Sequence, residues 1–415
     1  MTASPSRLGP VGGAAADQRT SFGRLVAALI VSHVGCYVAI ITPIQLLLTL
    51  RLTAIAGDAA TSAFGLVAGF GALVALVANP IAGRISDRTV SRFGRRRAWI
   101  LVGAVTGAAT LAAISAATSV WQVVVLWCAV QVLLTFQAAA TSAVVADQVP
   151  EGRRGGVSGL IGMTIAIGPL VGLSLANGFP AGSPAQWISV AVVTAGAGVV
   201  AAVLLRDTSA LVTPGPVAGR RRGYAVLVRT FWIDPRRYPA FGWACLVRFL
   251  VTCAYAGNTY YSFYLLQRFG VSQDRLGTLV LQLTLLSVVL IALASVVAGY
   301  LTDLVGRQKP FVVFSGVIAA VGLAVLAAAP SLGYVFVAAG LLGVGTGAFV
   351  AIDLAMCVRL LPSSADAGRD MAIAGIANSL PQSIVPFIAR RCWRSGDTPG
   401  CSRSLRCSGC WAWWR

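Results

Sequence analysis

Apolar residues in this chain neither alternate with polar ones nor return at helical spacing on a single face. They run on for about 20 positions at a time and then yield to short polar loops. Such runs occupy roughly residues 25–48, 61–82, 98–118, 121–146, 156–176, 187–205, 240–265, 276–301, 310–329 and 333–361, and an eleventh opens near Met371 and stops at Ala389. A helix of about 20 residues rises about 30 Å, the thickness of a bilayer's hydrocarbon layer. Inside that layer the backbone must satisfy its own hydrogen bonds. Helices and closed barrels are the structures that do so, and the runs lack the two-residue alternation of a barrel wall. The pattern predicts an all-α polytopic membrane protein.

Composition supports this reading. Of 415 residues, 57% are apolar and 11% charged, whereas soluble domains carry about 45–50% and about 25%. A water-soluble enzyme is excluded, because so few charges cannot clothe its surface. The formal net charge of +19 raises the question of nucleic acid. The basic residues, however, sit in short loops between apolar runs rather than on one soluble face, so nucleic acid is not an expected partner. Assigned to alternate sides, twenty-two Lys and Arg fall on the side of the N-terminus and only Arg51, Arg268 and Arg275 on the other. By the positive-inside rule the N-terminus is cytoplasmic. Residues 1–24 are polar and Ala/Gly-rich, without the apolar core of a cleavable signal peptide. They read as a tail on a multi-pass protein of the cell membrane.

The segment 206–239 holds Pro214, Pro216 and Arg220-Arg221-Arg222 and divides the chain. It reads as a solvated cytoplasmic linker between a first set of six spans, 25–205, and a second set, 240–389. The two sets repeat each other. Gly83-Arg-Ile-Ser-Asp87-Arg88-Thr-Val-Ser-Arg92-Phe-Gly94-Arg95-Arg96-Arg97 follows the second span, and Gly299-Tyr-Leu-Thr-Asp303-Leu-Val-Gly306-Arg307-Gln-Lys309 follows the eighth, 216 positions later. Pro150-Glu-Gly-Arg-Arg-Gly follows the fourth span, and Pro362 with Ala367-Gly-Arg-Asp370 the tenth. Matched loops in matched order point to duplication of a six-helix unit.

Together these loops resemble the signature loop of the major facilitator superfamily. The first copy has four extra residues between Asp87 and Gly94. That lengthened form resembles the glycoside–pentoside–hexuronide symporters and the related sucrose-type carriers. The resemblance extends over about residues 25 to 389 and implies a pair of six-helix bundles around a midplane solute site. It implies secondary active transport of a small solute, a sugar or glycoside at branch level, by alternating access coupled to H+ or Na+. Gly83, Asp87, Arg88, Gly94, Arg95, Arg96 and Arg97, with Gly299, Asp303, Gly306 and Arg307, would form a gate that stabilises the outward-open state. Glycine permits close approach of helix ends, and an Asp at a membrane edge needs a cation or a positive helix terminus. The plainer reading of the arginine cluster is that it fixes topology. A drug or metabolite exporter of the same fold is the alternative function.

Ionisable groups inside spans are functional candidates, because a charge at the bilayer centre costs at least about 2.5–3.5 kcal/mol. Arg248 in the seventh span and Asp353 in the tenth read as a pair that rearranges during transport, or as separate solute and proton sites. A structural ion pair, or Arg248 snorkelling to the surface, is the simpler reading. His33 in the first span is of the side-chain type suited to proton coupling, although a hydrogen-bonded packing role also fits it. Gln45, Gln137, Asn258, Tyr260, Tyr261 and Gln282 are candidates for lining a central cavity, or for bonding helices to one another. Gly162, Gly168-Pro169 and Pro381 are expected to bend the fifth and eleventh spans.

Nothing in the sequence suggests a catalyst: there is one His, with no metal cluster, no nucleophile beside a base, and no phosphate-cradling loop. No cofactor or metal is expected beyond a coupling H+ or Na+. The lipid bilayer and a small solute are the expected partners, and the chain is expected to be monomeric. Residues 390–415 concentrate four of nine Cys and four of ten Trp. Their irregular Cys spacing argues against a zinc site. Such an Arg/Cys/Trp mixture suits a shifted reading frame in a high-GC gene, which would truncate the second bundle within its eleventh helix and leave a remnant that does not transport.

Overall fold

A computed structural model describes residues 20–89, 93–206, 239–306, 309–359, 380–382 and 384–385. The linker, the segment around Pro362 and residues 390–415 lie outside them. The first half of the chain begins with α1 (Phe22–Thr42), which passes through a π-helical turn at Pro43–Leu47 into α2 (Leu48–Ala56). Then come α3 (Ala60–Arg88), α4 (Arg95–Ile114), α5 (Val120–Gln148), α6 (Glu151–Asn177) and α7 (Pro184–Leu204). The second half opens with α8 (Pro239–Ala256), which runs through a 3₁₀ turn at Gly257–Tyr260 into α9 (Tyr261–Phe269). It continues with α10 (Gln273–Val305), α11 (Lys309–Ala328) and α12 (Leu332–Arg359). Each predicted apolar run up to the tenth coincides with one of these passes, and the fold is the expected pair of helical bundles.

Small residues set the helix spacing. The missing side chain of Gly103 lets α4 lie against the Leu133 carbonyl and Gln137 of α5. Gly345 does the same for α12 against Ser315 and Ala319 of α11. Lipid supplies little hydrophobic drive between helices, so close van der Waals approach carries more of their association. Two glycines of the repeated loop have left-handed backbone, Gly94 at φ 95° before α4 and Gly306 at φ 67° after α10. An L side chain is strained there, which accounts for Gly at both turns. Pro169, expected to bend the fifth span, lies inside the unbroken α6.

Three apolar clusters form among the described residues. The largest joins both halves at the end away from the arginine loops and contains Leu46, Phe64, Trp127 and Leu173 together with Phe263, Leu276, Val280 and Val335. At the arginine-bearing end each half has its own cluster. Leu25, Leu29, Ile100, Val144 and Leu205 build one, and Ala244 and Ile352, flanked by Phe311 and Val312, build the other. Among the described residues, then, the halves are packed together at one end and separately cored at the other.

Candidate functional site

The arginine triplet begins α4, directly after the Gly94 turn. Arg95 Nη2 lies 3.1 Å and Arg96 Nε 3.0 Å from Asp147 Oδ2 at the end of α5. Arg96 is buried and also donates to Ser86 Oγ of α3 at 2.9 Å. Nearby, Trp99 Nε1 donates to Thr89 Oγ1 at 2.8 Å, and Arg154 closes the end of α5 through the carbonyls of Ala146 and Val149. These bonds tie α3, α4 and α5 together within the first half. Asp147 is the partner that sequence reasoning missed, because only helix packing brings it to arginines some 50 positions away. The side chains of Asp87, Arg88 and Asp303 and all of Arg307 lie outside the described set, and Gly83 and Gly299 have open space around them.

At the opposite end the two helix breaks face each other. Pro43 has no N–H to offer the helix ladder, and the Leu48 N–H reaches back to the Pro43 carbonyl across the wider π turn. The Gln45 carbonyl is left to accept from Ser262 Oγ of α9, and Gln45 Oε1 accepts from Thr284 Oγ1 of α10 at 3.4 Å. Gln267 Nε2 donates to Thr61 Oγ1 at 3.1 Å, and Phe64 packs edge-on against Tyr260 and Phe263 at 5.1 and 5.2 Å. Asn177, at the end of α6, fills the place of a side chain at Gly277 of α10. A cavity of about 290 Å³ adjoins this seam, lined by Leu46, Leu50, Asn177, Gln273, Asp274 and Thr278 among others.

The cavity candidates separate on inspection. Gln45 belongs to the seam. Tyr260 and Tyr261 lie beside it with buried hydroxyls that have no hydrogen-bond partner among the described residues. Gln137 bonds one helix to another. It is fully buried in the first half, where its Nε2 donates to the Ser32 carbonyl at 3.2 Å. Gln282 is exposed on α10, on one stripe with exposed Leu285, Val289 and Leu293. The Asn258 side chain lies outside the described set. His33 is buried, and its Nδ1 donates to the Leu29 carbonyl at 2.9 Å, the bond of a packing residue.

Arg248 of α8 and Asp353 of α12 meet, Nη2 to Oδ2, at 3.0 Å, with side chains 16% and 14% exposed. Arg248 lies on the side of α8 away from the exposed Trp243, Leu246 and Leu250. One heptad further along the same contact Tyr255 stands beside Thr346. The guanidinium and carboxylate thus lie between α8 and α12, toward the arginine-bearing end.

Two repeated halves, each opening with a broken helix, are packed together at one end and separately cored at the other among the described residues. Residues 25–386 match the Major Facilitator Superfamily model. The chain belongs to that superfamily. It is a multi-pass membrane protein of transporter fold. No curated protein matches it. Among solved structures, it is similar to a bacterial homologue of the human lysosomal transporter Spinster in an inward-facing, unoccupied state. That likeness is 15% identical over 88% of this chain and 81% of the other, with a TM-score of 0.65. The nucleoside transporter NupG is 13% identical over 89% and 91%, with a TM-score of 0.68. A D-xylose–proton symporter is 17% identical over 90% of each chain, with a TM-score of 0.61. At these identities the likenesses establish the fold alone.

Proposed function

We propose that this superfamily member is a secondary active transporter that carries a small solute by alternating access, coupled to H+ or Na+. The distribution of the core carries the reading: the halves share packing at one end and have separate clusters at the other. A solute held between them is then open to one side only. The excess of Lys and Arg on the N-terminal side favours placing the parted end in the cytoplasm of a cell membrane, which makes this the inward-open state. The resemblance of the lengthened Asp87–Gly94 loop to the sugar-symporter branch, with a D-xylose–proton symporter among the structural relatives, supports a sugar or glycoside as solute.

The gate role proposed for the loop becomes more specific. Asp147 locks Arg95 and Arg96 within the first half, so the loop holds that half rigid while its exposed neighbours meet the second half in the outward-open state. Reconstitution of the full chain into proteoliposomes tests the proposal. A labelled solute should accumulate against its gradient when a proton or sodium gradient is imposed and stop when it is collapsed. Flux of no solute under either gradient would overturn it.

A further inference from the structure

The internal repeat supplies a control for the Arg248–Asp353 pair. Positions in α1 and α8 correspond at a displacement of 216, as Gly83 and Gly299 do, and beyond the four-residue insertion α5 and α12 correspond at 212, as Pro150 and Pro362 do. The counterpart of Arg248 is therefore Ser32, and the counterpart of Asp353 is Thr141. Those two residues also touch, hydroxyl to hydroxyl at 2.9 Å, and each is 1% exposed. The same inter-helix contact is thus built twice, once from neutral hydroxyls and once from opposite charges. The hydroxyl version shows that the architecture does not require the charges. The charged version keeps partial exposure, 16% and 14%, and a charge within the span is costly unless it is neutralised.

We infer that Arg248 and Asp353 form an exchange site for a solute bearing one carboxylate. This deepens the transport proposal and rests on it. In the state described here the aspartate neutralises the guanidinium. A solute carboxylate entering from the open side takes the two parallel donors of Arg248, a fork that suits a planar carboxylate. Asp353, displaced, takes one proton from water on the same side. Anion and proton then travel together, and no net charge crosses the membrane in a cycle. Either event alone would leave an uncompensated charge inside the protein, and that penalty makes the coupling strict. Beyond the pair itself, the described turns of the helices packed with it carry Cys245 and Tyr255 on α8, Tyr300 on α10 and Lys309 on α11, the last two exposed.

The test uses full-length protein in proteoliposomes with radiolabelled glucuronate, gluconate, lactate and glucose. At least one of the three acids should accumulate under a pH gradient, about tenfold per pH unit, and an imposed potassium diffusion potential of either sign should leave the level unchanged. Asp353→Asn should keep solute exchange and lose both accumulation and the pH dependence of exchange. Arg248→Gln should lose both activities. The double variant Arg248→Ser with Asp353→Thr, which transplants the hydroxyl pair of the first half, should unfold at the wild-type temperature yet carry no acid. Accumulation of glucose without any acid, or a response to the potential, overturns the exchange site and leaves the transport proposal standing. Flux of none of the four probes likewise overturns the exchange site, whereas the transport proposal falls only if no solute moves under either a proton or a sodium gradient.

Discussion

The two halves of this molecule are the same scaffold carrying different charges. In the first, α1 and α5 meet through Ser32 and Thr141, sealed from solvent, and the ion pairs lie at the arginine-bearing edge, where Arg95 and Arg96 hold Asp147. In the second, α8 and α12 meet through Arg248 and Asp353. The edge positions there have lost their complementarity: the counterparts of Arg96 and Asp147 are Gln308 and Arg359. The contact occurs in both halves, neutral in the first and charged in the second. An ion pair at a watery edge is cheap and serves to hold helix ends together. One inside the span is costly, and the exchange proposal gives it a use. The first half reads as the rigid frame and the second as the half that does the chemistry.

The largest effect that would break this contrast is at the inner pair. Arg248→Ala strands the Asp353 carboxylate and should cost about 3–5 kcal/mol, the range for removing one partner of a buried pair. Denaturation in detergent measures it, and the joint change to Ser and Thr should recover most of the loss. At the edge, Arg96→Ala removes charge-assisted bonds to Asp147 and Ser86 and should cost about 1.5–3 kcal/mol, with solute exchange slowed but still pH-dependent. Close helix approach comes next. A side chain at Gly198 of α7 meets Ala104 of α4, whereas the counterpart of Ala104, Gly316 of α11, has nothing nearby. Gly198→Val should lose about 1–3 kcal/mol, and thermal melts of Gly316→Ala should stay within about 1 kcal/mol of wild type. The smallest effect is at the neutral pair. Ser32→Ala should cost about 0.6 kcal/mol and leave ion-driven accumulation intact.

The parts of the molecule that a one-dimensional pattern can encode were legible in the sequence. Unbroken apolar runs marked ten passes, and the Gly83 and Gly299 loops marked the duplication. Arg248 and Asp353 stood out because a charge has no inexpensive place in an apolar run. Features set by helix rotation and depth were not legible. Gln137 reads like a cavity residue, yet α5 turns it onto Ser32. Asp147 reads like one more loop charge until the packing of α4 and α5 brings their ends together. The run 25–48 reads as one continuous helix, and only the fold shows the break at Pro43 and that it lies against the seventh pass, where Ser262 Oγ donates to the Gln45 carbonyl. A repeat-based comparison of Ser32 with Arg248 needs the sequence alone, and it is the signal that would have drawn attention to the contact first.

Alternating access requires the seam between α6 and α10 to part. A Cβ built on Gly277 stands 3.0 Å from Cγ of Asn177, close enough for cysteines at the two positions to form a disulfide. The decisive measurement is solute flux through Asn177→Cys/Gly277→Cys protein, with its native cysteines replaced, before oxidation, after oxidation and after reduction. Flux that stops on oxidation and returns on reduction is the expected result. Fully cross-linked protein that still carries solute at the reduced rate would contradict alternating access through this seam.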